Sequence, residues 1–98
     1  MLCWMWQRWW VDIYMEEFQI SKELRKAEDA RMELQLDLDD ADFALKKAKE
    51  AGKSTTSAES SLKKAKAKMA QCEKEIAEIH SRIQSVHTRI EKMRKEHQ

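Results

Sequence analysis

Residues 51–60 read AGKSTTSAES and hold the only glycine of a 98-residue chain that has no proline. Glycine, serine and threonine favour turns and helix ends, and this is the one segment of the sequence where they gather. β-Sandwiches, β-barrels and βαβ units need several turns, so the sequence argues against all three. We therefore predict a chain of long helices that is interrupted only at this segment.

The same segment carries signals for two helix ends. Gly52 can end the first helix by adopting a left-handed conformation. Thr56 and Glu59 fit a capping box at the start of the second helix, with Thr56 as the N-cap and Glu59 reaching back to it. The predicted organisation is a Trp-rich docking segment at 1–12 that continues helix 1, helix 1 at 13–51, a loop at 52–56 and helix 2 at 57–97.

Apolar residues on both sides of the loop recur at alternating steps of three and four, which is the heptad pattern of a coiled coil. In helix 1 this seam comprises Ile13, Ile20, Leu24, Ala27, Leu34, Leu38, Ala41, Leu45 and Ala48. In helix 2 it comprises Leu62, Ala65, Met69, Cys72, Ile76, Ile79, Ile83, Val86, Ile90 and Met93. Only the first seam has polar interruptions, at Glu17 and Arg31. The first frame would place Lys66 on the seam if it continued through the loop, so we expect two separate helices.

Charges decide how the two helices pair. Antiparallel pairing places Leu24 opposite Val86 and Glu23 beside Arg89, so that the numbers of opposed residues sum to 110. A parallel dimer of helix 1 would instead set Glu23 against Glu28, which is a repulsive pair. We therefore predict an all-α fold, an antiparallel two-helix coiled-coil hairpin.

In that register Ile13 lies level with His97, and residues 1–11 project beyond helix 2 as a Trp-rich overhang. The overhang contains all four tryptophans, Trp4, Trp6, Trp9 and Trp10. Tryptophan is favoured at protein interfaces and at membrane surfaces because it joins a large apolar ring to one N–H group. We expect this segment to dock into a protein partner. The alternatives are a cap over the open end of the hairpin and a position at a membrane surface; the segment is too short to span a bilayer.

A second apolar stripe, here named the outer stripe, follows helix 1 on the side away from the seam. It comprises Val11, Met15, Phe18, Met32, Leu36 and Phe43. The matching positions of helix 2 hold lysine, alanine and small polar residues. Six large apolar side chains on one helix favour a packing partner, either a second copy that completes a four-helix bundle or a different protein.

Charge is segregated along the chain. Residues 46–68 have a net charge of +6 and residues 16–42 a net charge of −6. The basic group comprises Lys46, Lys47, Lys49, Lys53, Lys63, Lys64, Lys66 and Lys68. A nucleic-acid-binding arm is therefore an alternative function. It is the less favoured one, because this group lacks the arginine and aromatic side chains that recognise bases.

The sequence argues against an enzyme. Two long helices do not enclose a pocket, and His80 and His87 lie two helical turns apart, too far to share one metal ion. We expect no catalytic residue, cofactor, metal or small-molecule substrate. Cys3 and Cys72 indicate free thiols in a reducing compartment, and the apolar N-terminus lacks the basic residues that begin a secretory signal.

We therefore expect a non-enzymatic assembly subunit, adaptor or stalk. Its expected location is intracellular, either cytoplasmic or organellar, with peripheral membrane association as the alternative.

Overall fold

The computed structural model describes residues 2–96, and it describes side chains from residue 8 onward. Within this range the chain forms two α-helices, α1 at Leu2–Glu50 and α2 at Thr56–Glu96, and no strand. The two helices pack against each other as a helical hairpin. The prediction of an all-α fold is confirmed.

A glycine ends α1. Gly52 has a φ angle of 66°, in the left-handed region that glycine adopts without a steric cost. Its amide donates to the carbonyl of Lys49 at 3.2 Å, and the amide of Lys53 donates to the carbonyl of Ala48 at 3.0 Å. These two bonds form a Schellman motif, which satisfies carbonyl groups that the helix end would otherwise leave without a partner.

The start of α2 differs from the prediction by one residue. The carbonyl of Thr55 accepts the amide of Glu59 at 2.8 Å, and the Thr55 hydroxyl donates to the Glu59 carboxylate at 3.0 Å. The predicted capping box at Thr56 is therefore wrong, because Thr55 occupies the N-cap position. The pattern favoured Thr56 because Glu59 follows it by three residues, but the adjacent Thr55 offers the same hydroxyl and reaches Glu59 from four residues away.

The chain divides into two compact units. Unit 1 comprises residues 1–26 and 76–98, and its described part is built around five buried side chains. Unit 2 comprises residues 27–75. The buried residues of unit 1 include Ile13, Ile20, Val86, Ile90 and Met93, and those of unit 2 include Met69 and Cys72.

The seam positions are the buried positions of both helices. Every predicted seam residue is buried or partly buried, including the alanines. Of the two polar interruptions, Glu17 is partly buried and Arg31 is exposed. The heptad pattern therefore identified the packed face of each helix correctly, because burial of apolar surface is what orients an amphipathic helix.

The pairing of the helices is antiparallel, as predicted, but in a different register. In unit 1, Arg82 Nη1 lies 2.7 Å from Glu23 Oε2 and Arg89 Nη1 lies 3.1 Å from Glu16 Oε2. The residue numbers of both pairs sum to 105. The predicted pair of Glu23 with Arg89 is therefore wrong by one heptad.

Unit 2 has the same register. Arg31 Nη2 lies 3.7 Å from Glu73 Oε1, and the numbers of this pair sum to 104. A shift of seven residues leaves most seam positions opposite other seam positions, so the apolar pattern is compatible with both registers. The connection consists of the five residues Ala51–Thr55, as many as the predicted loop at 52–56.

The predicted overhang, residues 1–11, is wrong at Trp10. Trp10 is partly buried and packs against the apolar cluster of unit 1. Ile13 and Met93 belong to this cluster and are each 2% exposed, whereas His97, the predicted neighbour of Ile13, lies outside the described residues. The one-heptad shift extends α2 along the N-terminal part of α1 and thereby gives Trp10 an apolar surface to cover.

Candidate interaction surfaces

The outer stripe is exposed along its whole length. Its six side chains are between 51% and 69% exposed. Among residues 8–96, all large apolar side chains with comparable exposure belong to α1. The stripe is out of phase with the seam, so α2 covers the seam and leaves the stripe to solvent.

The part of the stripe in unit 1 consists of Val11, Met15 and Phe18. The Nζ atom of Lys22 lies 5.2 Å from the centre of the Phe18 ring. This distance is typical of a cation–π contact. Unit 1 therefore presents aromatic and aliphatic side chains together on one exposed face of α1.

The part of the stripe in unit 2 consists of Met32, Leu36 and Phe43. The Nζ atom of Lys47 lies 5.4 Å from the centre of the Phe43 ring. Seven carboxylates lie between residues 28 and 43, and all of them are exposed. This part of the stripe is therefore an apolar surface with an acidic border.

The four tryptophans do not form one uniform group. Trp9 is 46% exposed, whereas Trp10 is partly buried and stacks on Tyr14 with ring centres 5.5 Å apart. The side chains of Trp4 and Trp6 lie outside the described residues. Trp10 therefore belongs to the packed interior of unit 1, and Trp9 is the described tryptophan that a partner can reach.

Tyr14 makes a contact with α2 that the sequence did not predict. Arg94 Nη2 donates to the Tyr14 hydroxyl at 3.2 Å. This bond raises the pKa of the Arg94 guanidinium above its ordinary value. The two residues are 80 positions apart in the sequence, and the antiparallel packing of the helices brings them together.

Ion pairs flank the seam of unit 1. Arg89 Nη1 contacts both carboxylate oxygens of Glu16 at 3.1 Å, and His87 Nε2 lies 3.4 Å from Glu17 Oε2. All four side chains keep substantial solvent contact, so each pair contributes less than about 1 kcal/mol. Their consistent signs support the observed register more than they stabilise the fold.

The predicted lysine group lies in unit 2, around the connection between the helices. All eight lysines are exposed. Gly52 and Lys53 lie in the connection, and the other lysines lie on the adjoining turns of α1 and α2. The end of unit 2 that contains the connection is therefore a basic surface.

No group of three or more His, Cys, Asp or Glu side chains within the described residues is arranged to hold a metal ion. Cys72 is buried, and its thiol lies 3.6 Å from the carbonyl oxygen of Ala27. Neither α1 nor α2, over the residues described, is long and apolar enough to cross a membrane. Comparisons with protein-family models, with curated proteins and with solved structures found no match for this chain.

Proposed function

We propose that this chain is a non-enzymatic interaction protein, an antiparallel coiled-coil hairpin that serves as an assembly subunit, adaptor or stalk. It docks through its Trp-rich N-terminal segment and through the outer stripe of α1. The observation that carries this proposal is the exposure of six large apolar side chains on one helix face. Contiguous exposed apolar surface is characteristic of interaction sites.

The distribution of exposed residues supports docking through α1 in particular. The seam accounts for the apolar residues that the hairpin needs for its own packing. The outer stripe is not part of that packing, and its exposure lowers solubility unless another molecule covers it. The exposed Trp9 adds an aromatic side chain of the type that dominates binding energy at interfaces.

Docking to a second copy is tested on the unit 1 part of the stripe. Residues 8–22 carry a net charge of only −1, so two copies of this surface repel each other only weakly. Val11, Met15 and Phe18 are replaced together by glutamine in the full chain. We expect sedimentation velocity at high protein concentration to show self-association of the wild type and its loss in this variant. Circular dichroism should show unchanged helicity, because the three residues lie outside the seam.

The matched control replaces three outward-facing residues of α2 in the same unit by glutamine, namely Ala77, Ser81 and Thr88. We expect this control to associate as the wild type does. Loss of helicity in the α1 variant alone would mean that its three residues belong to an internal core, and the proposal would be wrong. Equal association of the two variants would also contradict docking through this surface.

A second candidate function is binding of a polyanion by the lysine group. The exposure of all eight lysines favours it. Phosphate contacts of this kind weaken steeply as salt rises, whereas burial of apolar surface does not. Peripheral attachment to a membrane through the Trp-rich segment is the third alternative, and flotation with liposomes distinguishes it from docking to protein.

A further inference from the structure

The unit 2 part of the outer stripe combines an apolar face with a strong negative charge. Met32, Leu36 and Phe43 are 69%, 65% and 61% exposed. They follow one face of α1 over about 16 Å, at the rise of an ideal helix. Asp29 and Asp39 continue the same steps of three and four, so two carboxylates lie in line with the apolar side chains.

The carboxylates of this surface form no ion pair within the described part of the hairpin. Residues 28–43 contain seven carboxylates and one cation, Arg31. The guanidinium of Arg31 is engaged by Glu73 of α2 at 3.7 Å. Among the side chains described, none of the seven carboxylates forms an ion pair, and Asp39 accepts only the amide of Gln35 at 3.0 Å.

We propose that this surface binds a basic amphipathic helix, one with large apolar side chains along one face and lysine or arginine beside them. The inference rests on the proposed function, since it assigns a partner class to one part of the outer stripe. Apolar side chains of the partner cover Met32, Leu36 and Phe43. Its cations lie against the carboxylates around them, which sets orientation and selects against acidic partners.

Charge argues against the other occupants of this surface. Two copies of the segment 28–43, each with a net charge of −6, would meet if this face paired with itself, and such like-charge contact is unfavourable. The α2 helix of a second copy carries lysines, but among its described residues the large apolar side chains lie in the seam. Anionic lipid headgroups and nucleic acids are repelled by the same carboxylates.

A contact within the chain shows how a cation packs on this surface. The ammonium group of Lys47 lies 5.4 Å from the centre of the exposed Phe43 ring. A cation is therefore already accommodated at one end of this surface, where it contacts an aromatic face. A basic helix would add further cations beside the carboxylates along the rest of the stripe.

The test uses the full chain and a fluorescein-labelled probe peptide of about 20 residues, long enough to form a helix on binding. The peptide repeats the sequence Leu-Lys-Lys-Leu-Ala-Lys-Lys. Two control peptides replace every lysine by glutamate or scramble the order while keeping the composition. Binding is measured by fluorescence anisotropy at low and at physiological salt.

We expect the basic peptide to bind the wild type more tightly than either control peptide. Replacing Met32, Leu36 and Phe43 by glutamine should weaken binding by about tenfold or more, as loss of apolar anchors does. Replacing Asp39 and Asp40 by asparagine should weaken it about threefold and reduce its dependence on salt.

The matched control for charge replaces two exposed carboxylates of α2 by amides, as Glu75→Gln with Glu78→Gln, and should leave the affinity unchanged. Equal affinity of the wild type and the Met32, Leu36 and Phe43 variant would overturn the inference. Equal binding of the scrambled peptide, or tighter binding of the acidic one, would overturn it as well. The sedimentation test of the Val11, Met15 and Phe18 variant does not depend on the peptide-binding results. A failure of this inference is therefore distinguishable from a failure of the proposed function.

Discussion

Trp10 tests whether the N-terminal tryptophans serve a partner or the hairpin itself. Trp10 packs against the apolar cluster of unit 1 and stacks on Tyr14 at 5.5 Å with an interplanar angle of 19°. The change Trp10→Ala removes both contacts. Trp9→Ala is the matched control, because Trp9 is the same residue type at the adjacent position and is 46% exposed.

The expected magnitude follows from the area that Trp10 buries. A tryptophan side chain can bury about 200 Å², and partial burial removes on the order of half of this area from water. At about 25 cal/mol per Å² the loss is roughly 2.5 kcal/mol, and the lost stacking adds about 0.5–1.5 kcal/mol. We therefore expect Trp10→Ala to lower the free energy of unfolding by about 3 kcal/mol, and Trp9→Ala, whose side chain is the more exposed of the two, to lower it by less.

The assay is urea unfolding followed by circular dichroism, in which the midpoint and the slope give the free energy of unfolding. Both variants gain the same helix propensity from alanine, so the difference between them reports packing alone. The reasoning is refuted if Trp9→Ala costs as much as Trp10→Ala, or if Trp10→Ala leaves stability unchanged. Unchanged stability would mean that Trp10 is available to a partner after all, and equal losses would mean that Trp9 packs as Trp10 does.

Two further predictions concern the register and the connection. In a chain whose native cysteines are replaced by alanine, Leu24→Cys with Ile79→Cys should form an intramolecular disulfide readily, whereas Leu24→Cys with Val86→Cys should not. Disulfide formation is measured by gel mobility under oxidising conditions. Readier crosslinking of the pair with Val86→Cys would restore the register in which opposed residue numbers sum to 110. Gly52→Ala should destabilise the hairpin by about 1–2 kcal/mol in thermal unfolding, because its φ of 66° is unfavourable for alanine although no atom lies within 4 Å of the added Cβ; an unchanged midpoint would mean that the chain ends α1 in another way.

The sequence by itself indicates which helix face carries each candidate surface. Met32, Leu36 and Phe43 were assigned to the outside of α1 because they are out of phase with the seam, and the structure leaves them exposed. Trp9 and Trp10 could not be separated in this way. Their burial depends on how far α2 extends along α1, which is a property of the pairing and not of either helix alone.

Local patterns determined which residues form helices, where the chain turns and which face of each helix is packed. A heptad repeat and a glycine-containing segment are patterns of nearby residues, so they can be recognised in the sequence before any tertiary contact is known. The register was decided only in the tertiary structure. A shift of seven residues keeps most seam positions opposite other seam positions, and the observed register is the one that pairs Glu23 with Arg82. This register packs Trp10 against the apolar cluster of unit 1, and the antiparallel packing brings Tyr14 to Arg94. No local pattern encodes such contacts, because they join residues that are about 80 positions apart in the sequence.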